Sequence, residues 1–290
     1  MLLCNMSLPL APEPVEQFTE TVTSVRTRAA SWRQLFPTHR LPVLTKTPLM
    51  IALGLYLTGG RFEMRTVGAT MLLFATLWAA LYALNEATDL AIEQHFEVPR
   101  RYLLPLFIFP ALLCVLAACL SLRLLLPFCL TVLGQFAYCV PPVRLKRWWW
   151  AILLLSGFLN PILRLEAGAV WGQHPIPLLA YLTFVSLHLG AALRVRALQR
   201  QRDEGFGYRS APHYSEIAGI VCTVLGIVGT SLLCWQGILL RPCIYFMLPC
   251  VAFAVYAWSG RAKNVADLRQ GWFWFALLAF IALIMLLTKM

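Results

Sequence analysis

Long hydrophobic runs alternate with short polar segments along this chain. Most runs approach the roughly 17–25 residues that an α-helix needs to cross the hydrocarbon core of a bilayer. Proline pairs and tryptophans stand at several run ends, where membrane helices stop and aromatic side chains lie at the interface. The pattern predicts an all-α polytopic membrane protein with about nine transmembrane helices, at residues 42–58, 67–85, 102–122, 124–141, 149–171, 176–194, 216–238, 243–259 and 271–288.

The composition supports lipid as the solvent of this domain. The chain is 60% hydrophobic and 13% charged, which is more apolar surface than a soluble domain can bury. A net charge of +11 would suggest nucleic acid as the partner of a soluble protein. Here the basic residues lie in short loops between apolar runs, so we predict contact with a lipid bilayer and no nucleic-acid binding.

Basic residues are concentrated on one side of the predicted bundle. Most of the 24 Lys and Arg residues lie in the N-terminal segment and in the loops after the second, fourth, sixth and eighth runs. Short basic loops stay in the cytoplasm during membrane insertion, so we expect the N-terminus and these loops there. This predicts an integral protein of a bacterial-type inner or plasma membrane, or of an organelle membrane, with a cytoplasmic active site.

Residues 1–40 precede the first apolar run. Between residues 15 and 36, apolar residues recur at spacings of three and four with arginines between them. This pattern is typical of an amphipathic helix on a membrane surface, although a helix that packs on a soluble partner would show it too. We expect an N-terminal amphipathic cytoplasmic segment at 1–40 and a nine-helix membrane domain at 41–290.

Three polar residues repeat every four positions where the second apolar run meets a charged loop: Asn85, Asp89 and Glu93. Helical geometry places them on one face, with each step rising about 6 Å. Carboxylates at the mouth of a membrane span are costly to place and are typical of functional sites. Two carboxylates and an amide oxygen suit Mg²⁺ bound to a diphosphate, so we predict that these three side chains bind the metal.

Two further cytoplasmic segments carry basic residues. After the fourth run comes Tyr138-Cys-Val-Pro-Pro-Val-Arg144-Leu-Lys146, and the loop after the sixth run extends from Arg194 through several arginines to an acid at Asp203. A metal site that faces guanidinium and ammonium groups is what a diphosphate requires, because the cations neutralise the remaining oxygens. A solvated cytoplasmic face is the plain alternative for any single arginine. We predict diphosphate binding by Asn85, Tyr138, Arg144, Lys146 and Arg194, catalytic roles for Asp89, Arg144 and Lys146, and a fourth metal ligand in Asp203.

Two charged residues, Arg164 and Glu166, lie well inside the fifth apolar run. Charges at that depth are costly unless they face a cavity or each other. Residues two apart on a helix do not share a face, so we expect a polar lining near a substrate chamber rather than a direct pair. Aromatic residues near the mouth, such as Trp78 and Tyr82, are candidates to shield an allylic cation, with lipid-facing or core packing as the alternative.

The nine cysteines are scattered, mostly within apolar runs. No Cys-x-x-Cys or Cys/His cluster indicates zinc, and no spacing indicates a disulfide framework. We expect free thiols in the core.

The ladder Asn85-x-x-x-Asp89-x-x-x-Glu93 resembles the first aspartate-rich motif of the UbiA superfamily of intramembrane prenyltransferases. The stretch Tyr138-x-x-Pro-Pro-x-Arg144-Leu-Lys-Arg resembles that family's motif after the fourth helix. The number of runs and both loop positions agree over about residues 40–290. The resemblance implies a helical bundle around a lipid-open chamber, in which Mg²⁺ ionises an isoprenyl diphosphate and an acceptor attacks the allylic carbon.

The sequence departs from the family's pattern at both motifs. Glu86 and Glu93 stand where the family usually has Asp, which keeps the charge. The second motif usually has three acids at four-residue intervals, and here Val195, Gln199 and Asp203 occupy those positions. Arginines in the same segment are expected to take over part of the diphosphate charge: Arg194, Arg196, Arg200 and Arg202.

We therefore predict a Mg²⁺-dependent membrane prenyltransferase that moves an isoprenyl group from its diphosphate to an aromatic or other lipophilic acceptor. Three alternatives stay open. The basic second motif, and Arg164 followed shortly by Ala-Gly, resemble the superfamily's polyprenyl-phosphate phosphoribosyltransferases, and another branch cyclises the prenyl diphosphate. The missing acids also favour a non-catalytic lipid-binding member, whereas the intact first ladder argues against it.

Overall fold

A bundle of α-helices makes up the part of the chain described by the computed structural model, which comprises residues 35, 45–93, 98, 100–205, 212–239, 243–261 and 263–287. No strand occurs among these residues, so the predicted all-α class is confirmed. The predicted N-terminal amphipathic helix lies outside them, apart from the buried Leu35. The helices are α1 Lys46–Leu57, α2 Ala69–Glu93, α3 Arg100–Leu120, α4 Leu122–Cys139, α5 Trp149–Ala169, α6 Leu178–Gly205, α7 Ser215–Trp235, α8 Cys243–Trp258 and α9 Val265–Leu287.

Each described helix overlaps one of the predicted apolar runs, but α2 and α6 continue beyond the predicted ends at residues 85 and 194, to Glu93 and Gly205. Six of these, α2 to α7, are long and apolar enough to cross a membrane by length and composition, and α1 is a shorter apolar helix. The number of helices that cross the bilayer stays a prediction. The outer faces are strongly apolar, as with Leu104 on α3, Leu133 on α4 and Ile217 on α7, each more than 60% exposed. Such continuous exposed apolar surface fits contact with lipid chains.

Helices α1 and α5 cross in close contact because each carries a glycine at the crossing. A Cβ added to Gly54 would lie 2.0 Å from the carbonyl oxygen of Leu165. A Cβ added to Gly168 would lie 2.0 Å from the carbonyl oxygen of Ile51. Small residues allow membrane helices to approach backbone to backbone, where packing replaces the hydrophobic effect as the source of association. This contact fixes the position of α5, and therefore of Arg164 and Glu166 in its last two turns.

Helix α5 is not regular along its length. The turn Leu153–Leu159 is π-helical, and an α-helix resumes at Asn160 with Pro161 in its first turn. Proline has no backbone N–H, so the carbonyl four residues earlier, inside the π-helical turn, loses its usual donor. Irregular turns of this kind are frequent at functional sites. Here the π-helical turn directly precedes the α-helical segment that carries Arg164.

Among the described cysteines, the expectation of free thiols is wrong for Cys234. Cys234, near the C-terminal end of α7, is disulfide-bonded. The cysteines at 114, 119, 129, 139 and 222 are free, as expected. The scattered spacing gave no indication of a bridge, because a disulfide depends on the approach of two residues in space and not on a motif.

Candidate functional site

Asn85 and Asp89 lie one turn apart on the inner face of α2. Both are buried, with 8% and 7% of their surfaces exposed. The Asn85 amide Nδ2 donates to Asp89 Oδ2 at 3.3 Å. The predicted spacing of four residues therefore brings the two polar side chains together in the folded protein. The helix continues to Glu93, whose side chain lies outside the described part of the structure.

The basic segment after α4 supplies two cations to the same carboxylate. Lys146 forms a salt bridge with Asp89 Oδ1, and an Arg144 Nη atom lies 3.8 Å from the same oxygen. Both cations are buried, with Arg144 only 2% exposed. Two predicted segments, separated by about 55 residues in sequence, thus meet at one point. The structure brings Asp89, Arg144 and Lys146 together, and the roles predicted for them stay predictions.

Arg144 is held in an unusual backbone conformation. Its φ of 37° and ψ of 58° lie in the left-handed region, and it precedes the 3₁₀ turn Leu145–Arg147. Non-glycine residues rarely adopt this region because Cβ approaches the carbonyl oxygen. Strained conformations of this kind persist where the surroundings determine them, and they cluster at active sites. The turn directs the Arg144 and Lys146 side chains inward to the same carboxylate.

The oxygen donors at this site fit a divalent cation. Asn85 Oδ1 is buried and accepts no hydrogen bond. An unsatisfied buried carbonyl is costly, and one beside a carboxylate is a suitable ligand for a hard cation. Among the described side chains, no group of three His, Cys, Asp or Glu residues forms a complete metal site. A Mg²⁺ ion here would need further oxygens, which the phosphates of a substrate characteristically supply.

Arg194 and Arg196 of α6 contact different neighbours. Arg196 donates from an Nη atom to the Tyr138 hydroxyl at 3.3 Å. Arg194 instead donates from Nε to the carbonyl oxygen of Ala257 at 2.9 Å, with its guanidinium 5.3 Å from the Trp258 ring centroid. Arg196, and not Arg194, therefore contacts the Tyr138 segment. The role predicted for Arg194 stays a prediction, and Arg196 is a residue for which the sequence suggested no individual role.

The position where the family motif has its first acid is apolar in structure as well as in sequence. Val195 packs beside a small buried cluster formed by Ala257 of α8 and Leu268 of α9. A valine side chain has no ligand atom, so this position supplies none to a metal. The side chain of Asp203 lies outside the described part of the structure, so its predicted role as a ligand is not tested.

On the N-terminal side of Asn85, the same face of α2 carries aromatic side chains. Trp78 and Tyr82 precede Asn85 by seven and three positions, a spacing that keeps all three on one helix face. The guanidinium of Arg164 lies 4.1 Å from the Trp78 ring centroid, and its Nε donates to Thr47 Oγ1 at 3.2 Å. This face of Trp78 is therefore occupied by a cation of the protein itself.

Further basic residues surround Arg164 in the bundle. Lys46 at the start of α1 and His188 in α6 are close enough to interact electrostatically with it. His188 is buried, with Nδ1 3.0 Å from the carbonyl oxygen of Phe184. No sequence pattern predicts a role for Lys46 or His188, because neither residue belongs to a repeat. Glu166 points elsewhere: it receives a hydrogen bond from Tyr181 at the opposite end of the bundle.

Comparison with solved structures identifies the fold. A UbiA homolog from Archaeoglobus fulgidus bound to Cd²⁺ superposes with a TM-score of 0.69 at 14% identity, covering 88% of this chain and 99% of that chain. A UbiA homolog from the same organism bound to DMAPP and Mg²⁺ gives 0.68 at 13% identity, with 89% and 100% covered. A structure concerning digeranylgeranylglyceryl phosphate synthase in membranes gives 0.60 at 14% identity, with 89% and 98% covered.

No protein-family model and no curated protein matches this sequence. The structural likeness nevertheless extends over almost the whole length of each solved chain. This chain has the fold of the UbiA homologues, and the predicted resemblance is confirmed at the level of the fold.

Proposed function

We propose that this protein is a Mg²⁺-dependent membrane prenyltransferase, which moves an isoprenyl group from its diphosphate to an aromatic or other lipophilic acceptor. The observation that carries the proposal is the buried group of Asp89, Arg144, Lys146 and the unsatisfied Asn85 carbonyl at one end of a UbiA-type bundle. Solved UbiA homologues bound to DMAPP or GPP together with Mg²⁺ support the proposed donor class.

The four residues supply complementary functions to a diphosphate. Asn85 and Asp89 would hold Mg²⁺, which neutralises phosphate charge as a Lewis acid. Arg144 and Lys146 donate hydrogen bonds to the phosphate oxygens and stabilise the charge that develops as the allylic C–O bond breaks. Because both cations are buried, these contacts are stronger than they would be in water. The pairing of Lys146 with Asp89 keeps the two charges satisfied until a diphosphate replaces the carboxylate as partner of the lysine.

The aromatic face of α2 lies directly below this group. From Asp89 to Trp78 the helix rises about 16 Å, which provides length for an isoprenyl chain along the face. Tyr82 lies between the two levels, with its ring centroid 5.5 Å from that of Trp78. An aromatic ring near the reacting carbon stabilises positive charge by a cation–π contact and keeps water away. We assign this role to Tyr82, which lies seven residues from Asp89 along α2 whereas Trp78 lies eleven; Arg164 interacts with both aromatic side chains.

Release of diphosphate from a radiolabelled allylic diphosphate tests the proposal. Purified protein would be incubated with donors of several chain lengths, a panel of phenolic and lipid acceptors, and Mg²⁺ or EDTA. We expect Mg²⁺-dependent release and a prenylated product identified by mass. Asp89→Asn should reduce the rate by about 10²–10³-fold, the range observed when one group that stabilises transition-state charge is lost. Glu204→Gln, an exposed acid further along α6, is the matched control and should retain activity.

Phosphoribosyl transfer to a polyprenyl phosphate is a second candidate. The contact of Arg196 with Tyr138 favours it, because α6 presents a cation to this segment where the family motif presents acids. The same preparation would be given phosphoribosyl diphosphate and a polyprenyl phosphate. Transfer with these substrates, and none with allylic diphosphates, would replace the first proposal by the second. Release without an acceptor would indicate cyclisation, and no release with any donor would indicate a non-catalytic lipid-binding protein.

We also propose that the Asn85–Lys146 end of the bundle faces the cytoplasm, on the distribution of basic loops. The disulfide at Cys234 supports this orientation, since α7 ends there on the opposite side and disulfides persist in oxidising compartments. Single cysteines introduced at Glu204 and His174 test it in intact cells. The residue at 204 should be protected from a membrane-impermeant maleimide, and the residue at 174 should react. The reverse result would invert the proposed orientation.

A further inference from the structure

A cavity of about 420 Å³ lies at the opposite end of the bundle from the Asn85 site. It opens between the first turns of α4 and α6 and the last turns of α5. Its polar lining consists of Glu166, Tyr181, Arg123 and His174, and its apolar lining includes Pro127 and Leu163. A volume of this size lies in the range of small-molecule sites, roughly 300–1,000 Å³.

Glu166 is the feature of this cavity that calls for a ligand. It lies within α5, three residues before the helix ends at Ala169, and it is half-buried. The Tyr181 hydroxyl donates a hydrogen bond to Oε1, yet none of the described residues forms an ion pair with the carboxylate. A carboxylate in a membrane-spanning segment is costly without a cation or further donors. A ligand that brings a positively charged donor would remove that cost.

The surroundings restrict the ligand further. Arg123 and His174 are exposed at the rim and would attract an anionic group close to the position of the cation. Next to the cavity, Leu126 and Leu182 are 66% and 57% exposed, which gives a continuous apolar surface toward the bilayer. The ligand is therefore an amphiphile that carries both charges at one end. Glu166 and Arg123 each lie within about one helical turn of their helix ends, so both charges of the headgroup would lie near the interface.

We propose that this cavity binds a phospholipid with a primary-amine headgroup, its ammonium on Glu166 and its phosphate on Arg123 and His174. A primary ammonium has three N–H donors, enough for the carboxylate and for the Tyr181 oxygen. A trimethylammonium headgroup has none and is excluded from these hydrogen bonds. A headgroup that carries only negative charge meets repulsion from Glu166. The acyl chains lie against Leu126 and Leu182, outside the bundle.

Native mass spectrometry of the delipidated protein in detergent tests this assignment. The protein would be titrated with phosphatidylethanolamine, phosphatidylcholine and phosphatidylglycerol that have identical acyl chains. One bound phosphatidylethanolamine should be retained with about tenfold higher affinity than either of the others, since a charge-assisted hydrogen bond corresponds to at least that ratio. Soluble phosphoethanolamine should not compete, because the chains contribute to binding. Equal affinities for the three lipids, or full competition by phosphoethanolamine, would overturn the proposal.

Variants locate the binding at this cavity. Glu166→Gln should lower the affinity for phosphatidylethanolamine to that for phosphatidylcholine, and Arg123→Ala, an exposed rim change, should weaken both lipids. Glu204→Gln at the other end of the bundle should change neither. Thermal unfolding of each variant in detergent establishes that it is folded, and Arg123→Ala decides the question if Glu166→Gln does not fold. Wild-type lipid binding by both variants would place the lipid elsewhere and refute the assignment.

Discussion

Asp89→Asn should strengthen diphosphate binding in the absence of Mg²⁺ and weaken it in the presence of Mg²⁺, relative to the wild-type protein. In the wild-type protein without Mg²⁺, the buried carboxylate pairs with Lys146 and Arg144 and repels an incoming diphosphate. The amide removes that repulsion and also the ion pairs that both buried cations form with this carboxylate. Breaking a buried ion pair destabilises a protein by about 3–5 kcal/mol, and a bound anion would restore most of that.

The gain in affinity follows from the same contacts. A hydrogen bond to a charged group contributes about 1.5–3 kcal/mol, so one cation freed from Asp89 strengthens diphosphate binding about ten- to a hundredfold in EDTA. With Mg²⁺ present, the wild-type protein should bind the diphosphate more tightly than the variant does, because it keeps its metal ligand and the variant does not. The variant therefore combines tighter metal-free binding with lost turnover.

Isothermal titration with a non-hydrolysable thiodiphosphate analogue, in EDTA and in Mg²⁺, measures both effects. Thermal unfolding without ligand should show a lower midpoint for Asp89→Asn, which the analogue restores. Glu204→Gln controls for a general change in charge. If Asp89→Asn binds the analogue in EDTA no more tightly than the wild-type protein does, the carboxylate does not compete for these cations. If it also turns over at the wild-type rate with Mg²⁺, both the pairing and the metal role are wrong.

Three further substitutions test the structure. Arg196→Gln should weaken diphosphate binding about tenfold, measured by titration with the analogue. Arg194→Gln should weaken it less, because Arg194 donates to a carbonyl of α8. A larger effect of Arg194→Gln would contradict this assignment. Arg144→Gly and Arg144→Ala should both lose activity. The glycine variant should be more stable than the alanine variant by about 1 kcal/mol, and so unfold at a higher temperature, because glycine adopts the left-handed conformation without strain. Equal unfolding midpoints would contradict backbone strain at this position. Gly168→Ala should destabilise the protein in detergent, whereas Gly205→Ala, with no atom within 4 Å of its added Cβ, should not; equal melting temperatures would refute the tight α1–α5 crossing.

The sequence could predict what depends on local spacing. The positions of the helices follow from the lengths of the apolar runs, because lipid contact demands a continuous apolar surface whatever the tertiary arrangement. The adjacency of Asn85 and Asp89 follows from the helical repeat in the same way. The basic segment that contains Arg144 and Lys146 was identifiable as a phosphate-binding candidate from its composition and its position after an apolar run.

Only the tertiary structure decided which side chains meet across helices. Arg194 and Arg196 are indistinguishable by composition, and the rotation of α6 against α8 sends one to Ala257 and the other to Tyr138. The same holds for Arg164 and Glu166: the close crossing of α1 and α5 turns the arginine onto Trp78, while the glutamate faces a cavity at the far end. A helix fixes the angle between its own residues, but its rotation in the bundle is set by packing, and a few tens of degrees exchange one partner for another.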